Sequence, residues 1–530
     1  MLHALELENF KAFGKRARIP FAPITLIFGE NSAGKSSILQ ALNLLKQTLE
    51  SRNPTEAPLL PKTENGIVDL GSFQEMLFDH DLERTLSIRV ETTLDSLYSL
   101  RFPLYRKNKI AIEFSFKRPS LEAEVYLDQI GIYYAESGEC IAKFQRLDTT
   151  EESEAFLRGM SFSRPLSGIL SSRLTALKCV WLTAEPEYWK WEFEWHKEKK
   201  EGILNELREM LTALQHANDE HKEDNKRLQQ ECRSLNDGIE FFSSDFDLKT
   251  YISKRHDKEV NGGIGVYGFL PIGGMGPPHR RKFRPLLHRL SDDIIFSAPK
   301  LAIAAGGALE LDLVYLFPMS SFRRPPERLY IFTGTSPEDV GYRGDLLPDL
   351  LLRRPELVKD TNEWLNRLNM DYELEVKPVG TDTGDLFEVR LIDTRRKEGV
   401  SVALTDVGFG ISQLLPFIVQ SLVSEERIIS IEQPEVHVHP KLQADLGDLL
   451  AEAIKEPRQN RFIIETHSEH LILRLQRLIR NKLLEPEDVS VIYVSRGPEG
   501  AKALRLHLDE DGDFIDEWPN GFFLERLREL

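Results

Sequence analysis

Short apolar runs without alternation recur near both ends of the chain. Ile24-Thr25-Leu26-Ile27-Phe28, Arg427-Ile428-Ile429-Ser430-Ile431 and Arg461-Phe462-Ile463-Ile464 are rich in β-branched and aromatic residues, the pattern of strands buried on both faces of a parallel sheet. Longer apolar segments, 38–45 and 414–422, predict helices. Between these ends the pattern changes. Leu86–Val90, Ile110–Phe114 and Ala123–Leu127 alternate apolar and polar and predict antiparallel strands beside the parallel sheet. No Gly or Pro falls between Gly202 and Gly238, and Leu207, Leu211, Leu214, Asn218, His221, Asn225, Leu228, Cys232 and Leu235 keep a four-three spacing. That spacing predicts a helix over 203–237, roughly 50 Å long at about 1.5 Å per residue. Its stripe meets another helix of the chain or of a partner, or packs on the chain's own globular part. The glycine-rich stretch from Gly262 to Gly276 reads as a mobile loop.

At 530 residues the chain has room for a large core and a sizeable insertion, and 41% hydrophobic with 29% charged residues is a globular composition. A formal charge of −17 excludes a surface that attracts nucleic acid everywhere, so any such contact needs a local basic patch. His279-Arg280-Arg281-Lys282-Phe283-Arg284 is the strongest such cluster; a solvated loop is the competing reading. No apolar run approaches the ~20 residues of a membrane span, and the N-terminus lacks a signal-peptide layout, so a cytoplasmic protein is expected. The cysteines, Cys140, Cys179 and Cys232, have no metal-ligand spacing and form no disulfide framework.

The chemistry concentrates where strand patterns give way to helix patterns. Gly29-Glu30-Asn31-Ser32-Ala33-Gly34-Lys35-Ser36 matches G-x-x-x-x-G-K-[ST] between a strand and a helix, as a phosphate-binding loop requires. Its glycines let backbone N–H groups close on phosphates, with the helix N-terminus adding positive potential. Gly29, Asn31, Ser32, Ala33, Gly34, Lys35, Ser36 and Ser37 are expected at ATP, Lys35 on the β- and γ-phosphates and Ser36 on Mg²⁺. The strand at 427–431 ends in Glu432-Gln433-Pro434-Glu435, and an acid there stands near such a loop in a doubly wound sheet, giving Glu432 the role of a second Mg²⁺ ligand. Upstream, Gly408-Phe409-Gly410-Ile411-Ser412-Gln413 opens the helix at 414–422 and forms another anion-binding terminus, with Gly410, Ser412 and Gln413 expected at ATP. Two such termini are one more than a single nucleotide needs. The strand at 461–464 ends in Glu465-Thr466-His467-Ser468, with His467 able to reach a γ-phosphate.

These four elements, in this order, resemble the ABC-type ATPases of the SMC, RecF and OLD group, and Leu7-Glu8-Asn9-Phe10-Lys11-Ala12-Phe13 is similar to that group's first strand. Val68–Phe73, the Glu-Gln-Pro-Glu-Val-His-Val-His-Pro run ending at Pro440, Glu465–His470 and the tail from Asp511 to Phe523 resemble a bacterial AAA-family subfamily with a C-terminal domain of unknown function. Many of its members occur in anti-phage systems of the Septu, PARIS or retron-associated type. The resemblance covers the two ends of the chain and not its middle. It implies an α/β P-loop NTPase head of ABC type with a mixed sheet, extended by antiparallel strands and a helical or coiled-coil insertion. It further implies that two heads sandwich ATP, Ser412 and Gln413 contacting the γ-phosphate held by the opposite subunit. His467 becomes the switch histidine, and Gln74 a sensor of Mg²⁺.

One departure bears on catalysis. The usual Asp-Glu pair is replaced by Glu432-Gln433, and an amide in the general-base position cannot accept a proton from water. Slow hydrolysis, with Glu435 or His467 orienting water, is the expectation.

Residues 1–85 and 301–480 are expected to form the two lobes of the head, 86–300 the insertion and 481–530 a small C-terminal extension. Asp509-Glu510-Asp511-Gly512-Asp513 invites a metal reading but is composed as a hairpin turn. Arg323-Arg324-Pro325-Pro326 has no role that the sequence supplies. Too few residues follow His467 for the nuclease domain of OLD proteins, so a separate nuclease or toxin effector is expected beside a homodimeric ATPase using ATP and Mg²⁺. A RecF-like DNA-repair ATPase and an ATP-binding clamp with little hydrolysis are the competing readings.

Overall fold

A computed structural model describes residues 1–51, 58–64, 66–94, 109–147, 161–162, 175–182, 201, 204–205, 208–209, 211–212, 236, 263–267, 270–275, 298–380, 385–395 and 399–519. They belong to two compact units. One comprises residues 3–50, 61–81 and 312–530, the other residues 1–2, 51–60 and 82–311.

In the first unit, β1 (Leu2–Glu8) and β2 (Ala17–Pro20) form a hairpin, followed by β3 (Ile24–Gly29) and helix α1 (Lys35–Glu50). Every residue of β3 is buried, as its unbroken apolar run demands. Ile38, Leu39, Leu42 and Leu45 line the inner face of α1. One turn, α2 (Phe73–Met76), is set by a capping box in which Ser72 and Glu75 satisfy each other's N–H groups.

The second unit is antiparallel. Its strands β4 (Leu86–Thr93), β5 (Lys109–Lys117), β6 (Tyr126–Tyr134), β7 (Cys140–Arg146), β8 (Ser161–Phe162), β9 (Thr175–Leu182), β10 (Gly263–Tyr267) and β11 (Leu270–Met275) run in the order β4-β5-β6-β7-β9-β10-β11-β8. The alternating patterns at 86–90 and 110–114 fall within β4 and β5. Two expectations need correction. The strand expected over Ala123–Leu127 begins only at Tyr126, because Ala123 N–H bonds to the Ser120 carbonyl and Arg118 takes the Ala123 carbonyl, spending those groups in a turn. The glycine-rich stretch is not simply a loop: β10 and β11 pair from Gly263 opposite Met275 to Tyr267 opposite Leu270, across a bulge at Gly265/Val266. Apart from a few helical residues such as Leu204 and Leu211, the stretch 203–237 lies outside the described residues, as does the basic run 279–284.

The chain returns to the first unit with β12 (Leu316–Met319), β13 (Tyr330–Ile331), α3 (Leu347–Arg353), α4 (Pro355–Arg367), β14 (Tyr372–Pro378), β15 (Leu386–Asp393) and β16 (Val400–Ala403). It continues through α5 (Phe409–Val423), β17 (Ile428–Glu432), α6 (Pro440–Ala453), β18 (Arg461–Glu465), α7 (Glu469–Arg480), β19 (Val489–Ser495) and β20 (Lys502–Leu506). The central sheet has the order β12-β17-β18-β3-β19-β20, parallel except for β20. It is an α/β P-loop architecture. A buried cluster including Leu26, Phe28, Ile429, Ile431, Phe462, Ile464, Leu446 and Leu475 packs sheet and helices together. Helices α6 and α7 meet closely at Gly447, where a Cβ would stand 2.7 Å from Arg474 Cγ. The Asp509–Asp513 stretch is a turn: Asp509 Oδ1 accepts from the N–H groups of Asp511 and Asp513, and Leu508 bridges Phe514. No described helix is long and apolar enough to cross a membrane.

Asn460, buried before β18, ties three elements together. Its Nδ2 donates to the carbonyls of Ser421 (3.3 Å) and Ser424 (2.8 Å), and its Oδ1 accepts from Arg427 N–H (3.2 Å). Asn460→Ala strands these buried groups and is expected to cost about 2–4 kcal/mol in urea unfolding; a loss below about 0.5 kcal/mol would show that the network carries no stability.

Candidate nucleotide site

The parallel strands end on one edge of the sheet, and that edge collects the polar residues. Gly29 closes β3 at φ 145°, where a Cβ would lie 2.1 Å from the Val494 carbonyl of the neighbouring β19. Gly34 stands at φ 106°, with Ala12 Cβ 2.6 Å from where its own Cβ would be. Glycine is required at both positions. The loop between them turns through Ala33 N–H to the Glu30 carbonyl and Ser37 N–H to the Gly34 carbonyl, while Arg496 holds the Asn31 carbonyl at 2.8 Å. Lys35 Nζ lies over the loop, donating to the carbonyls of Gly29 (3.1 Å) and Glu30 (2.8 Å). Burial lowers the Lys35 pKa, opposed by the charges of Glu465 and Glu435.

A cleft of about 810 Å³ opens over this loop. Asn31, Ser32, Gly34, Lys35, Ser36 and Ser37 form its floor, Gln433, Glu465 and His467 one wall, and Lys11, Ala12, Glu75 and Leu77–His80 the other. The second wall is built by turns: Lys11 N–H bonds to the Met76 carbonyl and Phe10 bridges Leu77.

Of the two strand-end acids Glu432 and Glu465, it is Glu465 that touches the loop. Ser36 Oγ donates to Glu465 Oε1 at 3.1 Å, because β18, not β17, adjoins β3. Glu432 stands one strand further away, in register with Glu465. Burial foremost, then Glu465, raises the Glu432 pKa to about 7 against the opposing pull of Arg323 and a Ser321 hydrogen bond. Burial likewise raises Glu465, opposed by Ser36 and Lys35. Glu465 Oε2 is buried without a hydrogen-bond partner among the described residues. Ser36 and two crowded carboxylates form a hard-oxygen donor set suited to Mg²⁺.

Downstream of Glu432 the chain turns sharply, Gln433 at φ 44° with its N–H on the Glu465 carbonyl at 2.7 Å. Glu435 reaches back, and its Oε1 accepts the His467 N–H at 2.6 Å. Burial raises the Glu435 pKa, opposed by that N–H. His467 lines the cleft, accessible at its rim but with its ring partly desolvated, and this desolvation together with the charge of Lys35 lowers its pKa, favouring neutral imidazole. Gln443 links the two turns, accepting from Ser468 Oγ and donating to the Val438 carbonyl, both at 2.8 Å.

Some expected residues fall outside the cleft. Gln74 Nε2 donates to the His80 carbonyl at 3.1 Å, and Glu75 rather than Gln74 lines the wall. Ser412 and Gln413 are buried at the start of α5 and do not line the cleft; Gly410 abuts the His437 carbonyl, 2.7 Å from where its Cβ would be. Glu465 and Lys11 had no assigned site role from sequence. The acid ending the apolar run 461–464 signals Glu465 as the same feature signals Glu432. Nothing local marks the wall at 75–80.

The AAA ATPase domain model matches residues 1–262 and 352–472, and the chain belongs to that family. No curated protein matches it. Among solved structures it is similar to the Smc head domain with an extended coiled coil bound to the C-terminal domain of ScpA from Pyrococcus furiosus, at 13% identity and TM-score 0.36 over 99% of both chains. It is also similar to an Smc head bound to the C-winged helix domain of ScpA, at 12% identity and TM-score 0.38, covering 96% of this chain and 98% of that one. A third, the Smc head domain with a coiled coil and joint from Pyrococcus yayanosii, is 11% identical at TM-score 0.37 over 96% of this chain and 98% of that one.

Glu432 yields a pH test. Its folded pKa of about 7 lies above the 4.5 of an unperturbed carboxyl, so the folded protein holds a proton that the unfolded chain has released. Ionising Glu432 therefore costs stability progressively from about pH 4.5 to 7, and the cost is constant above that range. With a metal chelator present, Glu432→Gln is expected to be about 1–3 kcal/mol more stable than wild type at pH 8, the gain shrinking towards pH 4.5. Equal stability at pH 8 in thermal and urea unfolding would contradict the assignment.

Proposed function

We propose that this AAA-family chain is an ATP-hydrolysing head that works in pairs, each cleft being completed by the start of α5 from a second copy. The observation that carries this reading is that the described cleft holds the phosphate loop, Glu465 and His467 but not Ser412 or Gln413. In this reading the start of α5, which does not line its own cleft, serves as the second phosphate-binding helix end and does so for the cleft of the partner copy.

In this reading the N–H groups of the loop and Lys35 bind the β- and γ-phosphates. Ser36, Glu465 and Glu432 hold Mg²⁺, with Gln74 joining only if it leaves His80. Bound Mg²⁺ supplies charge neutralisation on the phosphates. Hydrolysis needs a water aligned with the γ-phosphate and a group to orient it. Gln433 lines the cleft and can donate or accept a hydrogen bond, but it cannot take the water's proton. Neutral His467 faces the same space, with Glu435 fixing its backbone from behind. We assign water positioning to His467 and Gln433, with the buried Glu435, which does not itself line the cleft, holding His467 from behind; turnover is slow for want of a carboxylate on the water.

The similarity of both chain ends to ATPases encoded beside nucleases or toxins supports a place in prokaryotic anti-phage defence. There, ATP-dependent pairing of two copies in the cytoplasm would restrain or release a separate effector. Gln433 favours one alternative, a nucleotide-dependent clamp that closes on ATP and hardly hydrolyses it.

Lys35→Ala should lose magnesium-dependent ATP binding and lower turnover at least about 100-fold, and should abolish phage protection in cells. Ser412→Ala should keep ATP binding while losing turnover. Mixing the two variants should restore activity, since one composite cleft then has both halves intact. Wild-type turnover in Ser412→Ala, or no recovery on mixing, would defeat the paired-head reading. Normal protection in Lys35→Ala would defeat the defence role.

A further inference from the structure

Arg323 is a buried cation that the chemistry above does not use. It follows β12, three residues beyond Ser320, and β12 pairs in parallel with β17 so that Met319 stands opposite Ile431, immediately before Glu432. The Ser320 and Arg324 N–H groups bond to the carbonyls of Tyr342 (2.9 Å) and Arg343 (2.8 Å), which fixes the loop backbone on either side of Arg323. Phe322 points out, 84% exposed, whereas Arg323 points in and is 4% exposed. All three guanidinium nitrogens are buried without a hydrogen-bond partner among the described residues. Leaving such a group unmatched costs several kcal/mol, so its position needs a reason.

The matching vacancy lies on Glu435. Oε1 of that carboxylate accepts the His467 N–H and the Thr466 side chain also stabilises the charged group, while Oε2 is buried with no hydrogen bond of normal geometry among the described residues. The charges that act on the Arg323 guanidinium are Glu435 first and Glu432 second. An unmatched buried donor set therefore stands in the field of an unmatched buried acceptor, on adjoining strand ends. Arg323 lies at β12, with β17 and β18 between it and the phosphate loop, so its reach is to the carboxylates of β17 and not to a phosphate held by β3.

We infer that Arg323 is a positioning residue for ATP hydrolysis: its guanidinium engages Glu435 Oε2 in the reacting state and holds that carboxylate, and through it His467, in the geometry the attacking water requires. This deepens the assignment of Glu435 made above and rests on it. Lys cannot reproduce the flat, multidentate contact of a guanidinium but retains its charge.

The test is a double-mutant cycle on the full chain, read as single-turnover hydrolysis and as KM for ATP. Arg323→Met should lower the hydrolysis rate at least tenfold while KM for ATP stays within about threefold, because Arg323 does not touch nucleotide. Arg323→Lys should recover part of the loss. In a Glu435→Gln background, Arg323→Met should add little, since the group it acts through has gone. Wild-type hydrolysis in Arg323→Met, a loss expressed in KM alone, or full multiplicative loss in the double variant would overturn the inference. Should Arg323→Met not fold, Arg323→Lys alone and with Glu435→Gln completes the same cycle. If Glu435→Gln itself hydrolyses ATP at the wild-type rate, the assignment of Glu435 falls; if Glu435→Gln is impaired but Arg323→Met is not, only the role of Arg323 falls.

Discussion

Strand β18 pairs in parallel with β3 on one side and with β17 on the other, and this register sets a row of strand ends along the carboxyl edge of the sheet. Ser36 and Glu465, 429 positions apart in sequence, meet there through one hydrogen bond. The order also decides which of the two strand-end acids touches the phosphate loop. Glu465 touches Ser36 directly, while Glu432 lies beyond it and couples to the loop through Glu465. Exchanging the positions of β17 and β18 would leave every motif intact in sequence and still reverse these two roles.

The same edge concentrates charge that water would otherwise stabilise. Lys35, Glu432, Glu435, Glu465 and Arg323 all have pKa values moved by burial towards their neutral forms, and each is partly offset by opposite charge or hydrogen bonds from its neighbours. Removing the opposite-charge partner of a buried ion typically costs about 3–5 kcal/mol, whereas neutralising one of two crowded carboxylates relieves repulsion. The arrangement is therefore poorly suited to stability alone. It suits a site that receives a highly charged ligand, since polyphosphate and a divalent cation would supply the missing partners for Lys35 and for the crowded carboxylates. Arg323 faces the other side of the row, where its complement is a carboxylate.

Much of this was legible in the chain. The unbroken apolar runs at 24–28, 428–431 and 461–464 became the three central strands, because burial on both faces leaves a pattern that no surface element imitates. The loop at 29–36 was visible because its glycines answer local needs: Gly29 must pass the Val494 carbonyl and Gly34 must pass Ala12. What sequence hid was lateral order. Nothing in residues 427–467 says which strand adjoins β3, so Glu465 looked like the tail of a histidine motif. Gln74 is singled out by the family resemblance alone, and the turn after α2 brings the His80 carbonyl within reach of its amide. Nothing in Arg323-Arg324-Pro325-Pro326 gives either arginine a role, and only the inward turn after β12 distinguishes the buried Arg323 from the exposed Arg324. The stretch 263–275 misled in the other direction, since glycine content predicts a loop while antiparallel pairing tolerates glycine at a bulge.

The frame that carries the loop is held on three sides. Along its edges β3 is hydrogen-bonded to β18 and β19, and across its face Phe28, next to Gly29, meets Trp518 edge-on with centroids 5.6 Å apart. Trp518 also contacts Tyr493 and Phe514 edge-on, so the tail after β20 locks onto the strand that aims the phosphate loop. A strand held by β18, β19 and Trp518 resists backbone shifts, because a shift breaks sheet hydrogen bonds and aromatic packing together. Tuning is left to side chains at the edge, where Gln433 and His467 line the cleft and Glu435 holds the His467 N–H from behind. On the proposed reading, a slow step would trace to the amide of Gln433 on this edge, and the groups placed to compensate for it are those, like Glu435 and Arg323, that reach the edge from neighbouring turns.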